Sequence, residues 1–161
     1  TQEKMLVEQG KYRFSAGASS ADIRQELECT VSGEVIPPRN LSHSICIKNY
    51  DSKHGIETTL RFSYRKNDWY GCTNDWGGGF TFADADFAGY TKAELWAAAP
   101  CSQAGVAIYA GEQQLGSVEI LPSRSMDDFQ LYTIPLKPYT GQADLRLEIT
   151  GMASVYRIQL G

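Results

Sequence analysis

Alternation of apolar and polar residues recurs along the chain and constrains its fold more than any other feature. From Ile56 the run IETTLRFSYR places Ile56, Thr58, Leu60, Phe62 and Tyr64 on one face and Glu57, Thr59, Arg61, Ser63 and Arg65 on the other. A side-chain period of two belongs to a half-buried strand. It returns in QADLRLEI, with Ala143, Leu145, Leu147 and Ile149 facing in, and in SVYRIQL, with Tyr156, Ile158 and Leu160. FTFADADF, GVAIYA, SVEIL and YTIPL repeat it. Turn-forming pairs such as Ser32-Gly33, Pro37-Pro38, Ala88-Gly89, Ala110-Gly111, Thr140-Gly141 and Thr150-Gly151 separate the runs. KAELWAAA has helical propensity, but strands flank it and Pro100 stops it, so 91–99 reads as a strand. ASSADIRQEL, 18–27, is the one helical candidate, with Ser20 as its N-cap. About ten short strands with little or no helix predict an all-β fold, an antiparallel β-sandwich of jelly-roll type.

A chain of 161 residues fits one domain, 1–161, with a single core. The net charge of −4 offers no basic field to phosphate backbones or anionic lipid, which argues against nucleic acid and membrane partners and for a neutral one. The chain starts at Thr1 without methionine, which reads as a mature or excised module of a larger secreted protein. Cys29, Cys46, Cys72 and Cys101 show no CxxC and no histidine at metal-ligand spacing, so zinc is not expected. In an extracellular setting they allow two disulfides in any of three pairings; otherwise they are buried thiols.

Groups for catalysis are few. His43 and His54 sit beside turn residues and carry no nucleophile signature. The carboxylate pairs Asp84/Asp86 and Asp127/Asp128 could serve a glycosidase only if they faced each other across a cleft. Asp84 and Asp86 are expected on the strand face of Phe80 and Phe82, where the strand leaves the core. No catalytic residue is assigned. The aromatic residues are more informative. Trp69, Tyr70 and Trp76 fall in WYGCTNDWGGG, a stretch that glycine and asparagine mark as a loop, and Phe129 is expected at the rim of the strand whose inward phase is set by Tyr132, Ile134 and Leu136. Aromatic rings kept out of the core mark binding surfaces or pack as a satellite cluster. A flat ring beside amide and carboxylate groups suits a pyranose, whose C–H face packs on the ring while Asn74 or Asp75 takes its hydroxyls.

Three stretches resemble the β-sandwich carbohydrate-binding modules of family 6 and the related family 35: MLVEQGKYRFSAG (5–17), YGCTNDWGGGFTFADADFAGYTKAELWAAA (70–99) and DDFQLYTIPLKPYTGQADLRLEITGMASVYRIQLG (127–161). The first is similar to that family's opening strand, the second to its Gly-Asp-Trp segment, the third to its last strands. The resemblance implies a non-catalytic module attached to a catalytic module in the same secreted parent chain, acting as a monomer on plant or microbial cell-wall polysaccharide. It places the ligand cleft in the loops at one end of the sandwich, with Tyr70 at the first aromatic position, six residues before Trp76, and Phe129 near the second. Trp69, Asn74 and Asp75 would support them, and Ser154 stands where the family has an asparagine. The family's structural calcium keeps Glu8, but Gly10 and Tyr156 replace its other acidic positions, so no cofactor is expected beyond that single candidate metal residue. Two other readings remain open: a structural or protein-binding sandwich with the aromatics packed beneath the loop, and a small glycan-cleaving enzyme using Asp84, Asp86, Asp127 or Asp128.

Overall fold

The computed structural model describes residues 7–62, 67–73, 77–100 and 102–161, with backbone alone for 59–62 and 67–73. The chain divides into two compact units, Thr1–Pro37 and Pro38–Gly161. Among the described residues it forms fourteen strands and no α-helix; a single 3-10 turn spans Ile47–Asn49.

In the first unit, β1 (Gly10–Ser19) and β2 (Asp22–Val31) form an antiparallel hairpin. The helix expected over 18–27 is absent, and Ser20-Ala21 is the turn. The reason lies in DIRQELECTV, where Asp22, Arg24, Glu26, Glu28 and Thr30 alternate with Ile23, Gln25, Leu27, Cys29 and Val31. That period of two, matched by Tyr12, Phe14 and Ala16 across the hairpin, outweighs local helix propensity. Charged pairs sit on one face, with Arg13 on Glu28 at 2.8 Å, and Phe14 opposes Leu27 on the other. The segment that resembles a first sandwich strand therefore belongs to this hairpin. Among the described strands, β1 pairs only with β2.

The second unit holds two six-stranded sheets. Sheet I runs β11 (Gln113–Ile120), β10 (Ala104–Ala110), β13 (Thr140–Thr150), β8 (Gly78–Ala88), β3 (Arg39–Asn40), with β5 (Ser52–His54) also on β8. Sheet II runs β12 (Gln130–Pro135), β9 (Lys92–Ala98), β14 (Ser154–Leu160), β7 (Asn67–Thr73), β6 (Ile56–Phe62), with β4 (Ile45–Cys46) on β14. Nearly every pairing is antiparallel; β3 on β8 is parallel. The expected strand over 91–99 is β9, and the architecture is the all-β sandwich that the alternation predicts. One core lies between the faces. Phe80, Phe82 and Phe87 of β8 and Leu145, Leu147 and Ile149 of β13 come from sheet I, and Ala93, Leu95 and Ala97 of β9 with Ile158 and Leu160 of β14 from sheet II. Bulky phenylalanines on one layer meet alanines on the other, which fills the interior without overpacking.

Three register shifts interrupt the ladders of the second unit among the described residues, and those on β8 and β14 bear on the site. On β8, Ala143 pairs with Ala85 and Leu145 with Phe82, so Ala83 and Asp84 together face Asp144. Asp84 adopts φ +49°, the left-handed conformation that aspartate tolerates better than most residues. The extra residue resets the phase, so Ala85 and Phe87 continue the core while Asp84 and Asp86 face solvent. This corrects the expectation that the two aspartates share a face with Phe80 and Phe82 where the strand leaves the core. On β14, Val155 opposes Ala97 and Arg157 opposes Trp96, leaving Tyr156 as the inserted residue. Tyr156 is buried, as its phase with Ile158 and Leu160 predicts, but as the inserted residue it packs outside the central cluster.

Candidate ligand-binding surface

The register gathers strand ends of both sheets at one end of the sandwich. In sheet II, Cys72 near the end of β7 and Ala98 at the end of β9 flank Ser154 at the start of β14, and Gln130 at the start of β12 lies beside Ala97. In sheet I, Gly78 at the start of β8 pairs with Ile149, Gly105 with Thr150 and Ala104 with Ile120. The end of β7, the start of β8, the end of β9, the start of β10, the 121–129 connection and the 151–153 connection therefore share this end.

The expected site residues are distributed as follows. Trp69 and Tyr70 are in strand β7, in register with Leu60 and Thr59 of β6, which corrects their placement in a loop. The reason is pairing on both sides: β7 is hydrogen-bonded to β6 along its length and to β14 at Gly71 and Cys72, and such ladders override the turn preference of glycine and asparagine. The expectations for Asn74, Asp75 and Trp76 lie outside the described residues, as do the side chains of Trp69 and Tyr70. Of the three glycines that follow, only Gly77 bends the chain. Its φ is +78°, and a Cβ there would stand 2.2 Å from the Ile149 carbonyl oxygen, whereas Gly78 and Gly79 already belong to β8.

Phe129 is the residue immediately before β12, half-buried at the strand rim, and its ring stacks on Tyr156 with centroids 5.4 Å apart and 29° between planes. The Arg157 guanidinium carbon lies 4.2 Å from the Tyr156 ring centroid, and its Nη2 donates a hydrogen bond to the Tyr156 hydroxyl. The Tyr156 bulge is what lets neighbouring residues of one strand form this stack. Trp96 of β9 and Leu131 of β12 are cross-strand partners, so Leu131, Trp96 and Arg157 form a row across sheet II. Trp96 is half-buried and Leu131 exposed. Sequence reasoning missed Arg157 and Trp96, half-buried beside the buried Tyr156, because only the bulge, which has no signature in the alternation, brings them together.

Ser154 is fully buried, and its hydroxyl has no hydrogen-bond partner. It does not present the polar group expected of it at the surface. Asp128 accepts the Arg124 N–H at 3.2 Å and Asp127 accepts the Ser125 hydroxyl at 2.5 Å, so both help order the 121–129 connection. His43 lies beside Ser42 on an exposed turn, with Nδ1 3.4 Å from its Oγ, and His54 reaches Glu148 on sheet I, 3.3 Å away. Glu8 is exposed in the first unit, paired by its backbone with Glu34. No group of three metal-ligating side chains surrounds it or occurs elsewhere among the described residues, and a hard cation needs several oxygen ligands, so these residues do not fit calcium. Cys29 carries a free thiol on β2, and Cys46 sits on β4 opposite Arg157.

A second concave surface lies on the outer face of sheet I. It is an open groove of about 700 Å³ lined by Tyr109, Ser117, Glu119, Glu148 and Thr150. Arg146 closes one side, its guanidinium 5.2 Å from the Tyr109 ring centroid and 2.7 Å from Glu112.

No family model and no curated protein matches the sequence. Solved structures do match the fold. CsCBM6-3 from Clostridium stercorarium, in complex with cellobiose, has a TM-score of 0.68 at 19% identity, covering 79% of this chain and 98% of that one. A β-1,3-glucan-binding family 6 module from Bacillus halodurans has a TM-score of 0.70 at 17% identity, covering 76% and 98%. A glycoside hydrolase family 43 arabinoxylan arabinofuranohydrolase from Bacillus subtilis, in complex with cellotetraose, has a TM-score of 0.72 at 11% identity; the match covers 91% of this chain and 32% of that one. The chain has the fold of the family 6 carbohydrate-binding modules, as the motifs in the sequence imply.

Proposed function

We propose that the chain is a non-catalytic carbohydrate-binding module that holds a polysaccharide at the loop end of its sandwich. The observation that carries this reading is the stack of Phe129 on Tyr156 at that end, in a fold whose solved examples include complexes with cellobiose, xylose and cellotriose. Phe129, stacked on Tyr156 at the rim of β12, is the aromatic group at that end to which we assign contact with a sugar ring. Tyr70 and Trp76 supply further aromatic surface, with Trp69 in support and Asn74 and Asp75 as hydrogen-bonding groups. The groove on sheet I is the alternative seat on the same module, with Tyr109 as its ring and Ser117 and Thr150 as its hydroxyls. The arabinofuranohydrolase, of which the matching part is a third, supports attachment to a catalytic module in one parent chain. A cell-wall polysaccharide ligand places the protein outside the cell, and a single shallow site binds weakly, so sister modules would add avidity to a monomer.

Affinity electrophoresis against xylan, β-glucans, mannans and pectins tests the proposal. Retardation by at least one glycan is expected; a folded chain that none retards overturns it. Reducing-sugar release from the same polysaccharides should stay at background, and release above background would instead point to the enzyme reading.

A further inference from the structure

Apolar surface left open to solvent is concentrated in the first unit. Of the eight large apolar side chains that stand exposed among the described residues, Val7, Phe14, Ile23, Leu27, Val35 and Ile36 belong to it. Phe14 and Leu27 are cross-strand partners, 58% and 65% exposed, and with Ala16 and Gln25 they line a groove on one face of the β1–β2 hairpin. The opposite face is polar and already paired, Arg13 with Glu28 at 2.8 Å and Ser15 with Glu26 at 3.2 Å. A strand pair with one apolar and one charged face is patterned to have the apolar one covered. This stripe falls well short of what holds two free molecules together, roughly 800 Å² and about 20 residues from each partner. A module in the same polypeptide needs far less, because the linker keeps it at roughly millimolar effective concentration. The solved structures point to the same source. Isolated family 6 modules match 73–79% of the chain, about the share that the second unit makes up. The match to the arabinofuranohydrolase, of whose chain it takes 32%, covers 91% of this one and so extends into the first unit.

From these observations we infer that the apolar face of the hairpin is a docking surface for the neighbouring module of the parent chain, which presents an apolar surface of its own to Phe14 and Leu27. The inference rests on the reading of this chain as one module of a longer protein, and it goes beyond that reading by naming the surface of contact. The junction is then a packed contact and not a flexible linker.

The test is hydrogen exchange of β1 and β2 in the complete gene product and in residues 1–161 alone. The hairpin amides should exchange about a hundredfold more slowly, or more, in the complete product. Phe14→Lys in the complete product should remove that protection while β8 and β13 keep theirs, and Leu27→Lys should do the same. Residues 1–161 alone should be monomeric by light scattering. Equal exchange of the hairpin in the two proteins overturns the inference, as does protection that survives both substitutions or a complete gene product with no further module. A dimer of residues 1–161 that Phe14→Lys dissociates also overturns it, with a second copy as the occupant. The comparison of unaltered proteins decides the matter even if a variant fails to fold. Glycan retardation of the same proteins keeps the two readings apart: retardation with an unprotected hairpin overturns the docking surface alone, and its absence with a protected hairpin overturns the glycan-binding reading alone.

Discussion

Asp84 shows what one residue can do to a strand. With φ at +49° it lets β8 carry an extra residue, and the two amides this exposes are each given a carboxylate: Ala83 N–H donates to Asp51 at 2.7 Å and Asp84 N–H to Asp144 at 3.1 Å. Asp84→Gly should therefore change stability little, whereas Asp84→Val should lose about 1–2 kcal/mol in denaturant unfolding, because a β-branched residue resists the left-handed region. Asp144→Ala should cost about 1 kcal/mol by leaving one bulge amide without its acceptor. Equal stability of the Gly and Val variants would contradict this account of the bulge. Neither bulge was legible in the sequence. Alternation assigns faces correctly on each side of Asp84 and Tyr156 but carries no mark of an inserted residue, so it puts Asp84 and Asp86 on the wrong face, while it rightly marks Tyr156 as buried. Arg157 was overlooked for the same reason.

At the scale of elements, long-range pairing settled what local preference could not. Residues 67–73 look like a loop by their Gly, Asn and Asp content, yet two neighbouring strands hold them extended as β7. Residues 91–99 look helical by their alanines and are β9, in register with β12 and β14. The alternating runs at β8, β10, β11, β12, β13 and β14 were legible because one of their faces is buried, which ties sequence pattern to structure directly. The hairpin β1–β2 is a different case: Phe14 is 58% exposed and Leu27 65%, and a two-stranded sheet by itself is marginal in water. Hydrogen exchange should find the amides of β1 and β2 exchanging well before those of β8 and β13, which are paired on both sides within a six-stranded sheet. Protection of the hairpin equal to that of β13 would show that its apolar face is covered in solution.

For the whole molecule, the sandwich is held by a core that draws on both sheets, and the loop end is a consequence of how its strands cross between them. Phe82→Ala should destabilise the fold by about 3–5 kcal/mol, since the ring is fully buried and β-sheets on both sides limit collapse around the cavity. The class of fold and the rim position of Phe129 were readable from periodicity and motif; the chemistry of the surface was not, because it depends on a ring stack and a cation that only the register assembles. Phe129 is where those two levels meet. The most direct test of the account is the affinity of the intact chain and of Phe129→Ala for the glycan that retards the protein most strongly, measured with melting temperature as a check on folding. The account predicts that the wild-type chain binds and that the folded variant weakens by about tenfold or more, as loss of an aromatic anchor does at other interfaces. Unchanged affinity in a folded Phe129→Ala variant would contradict it.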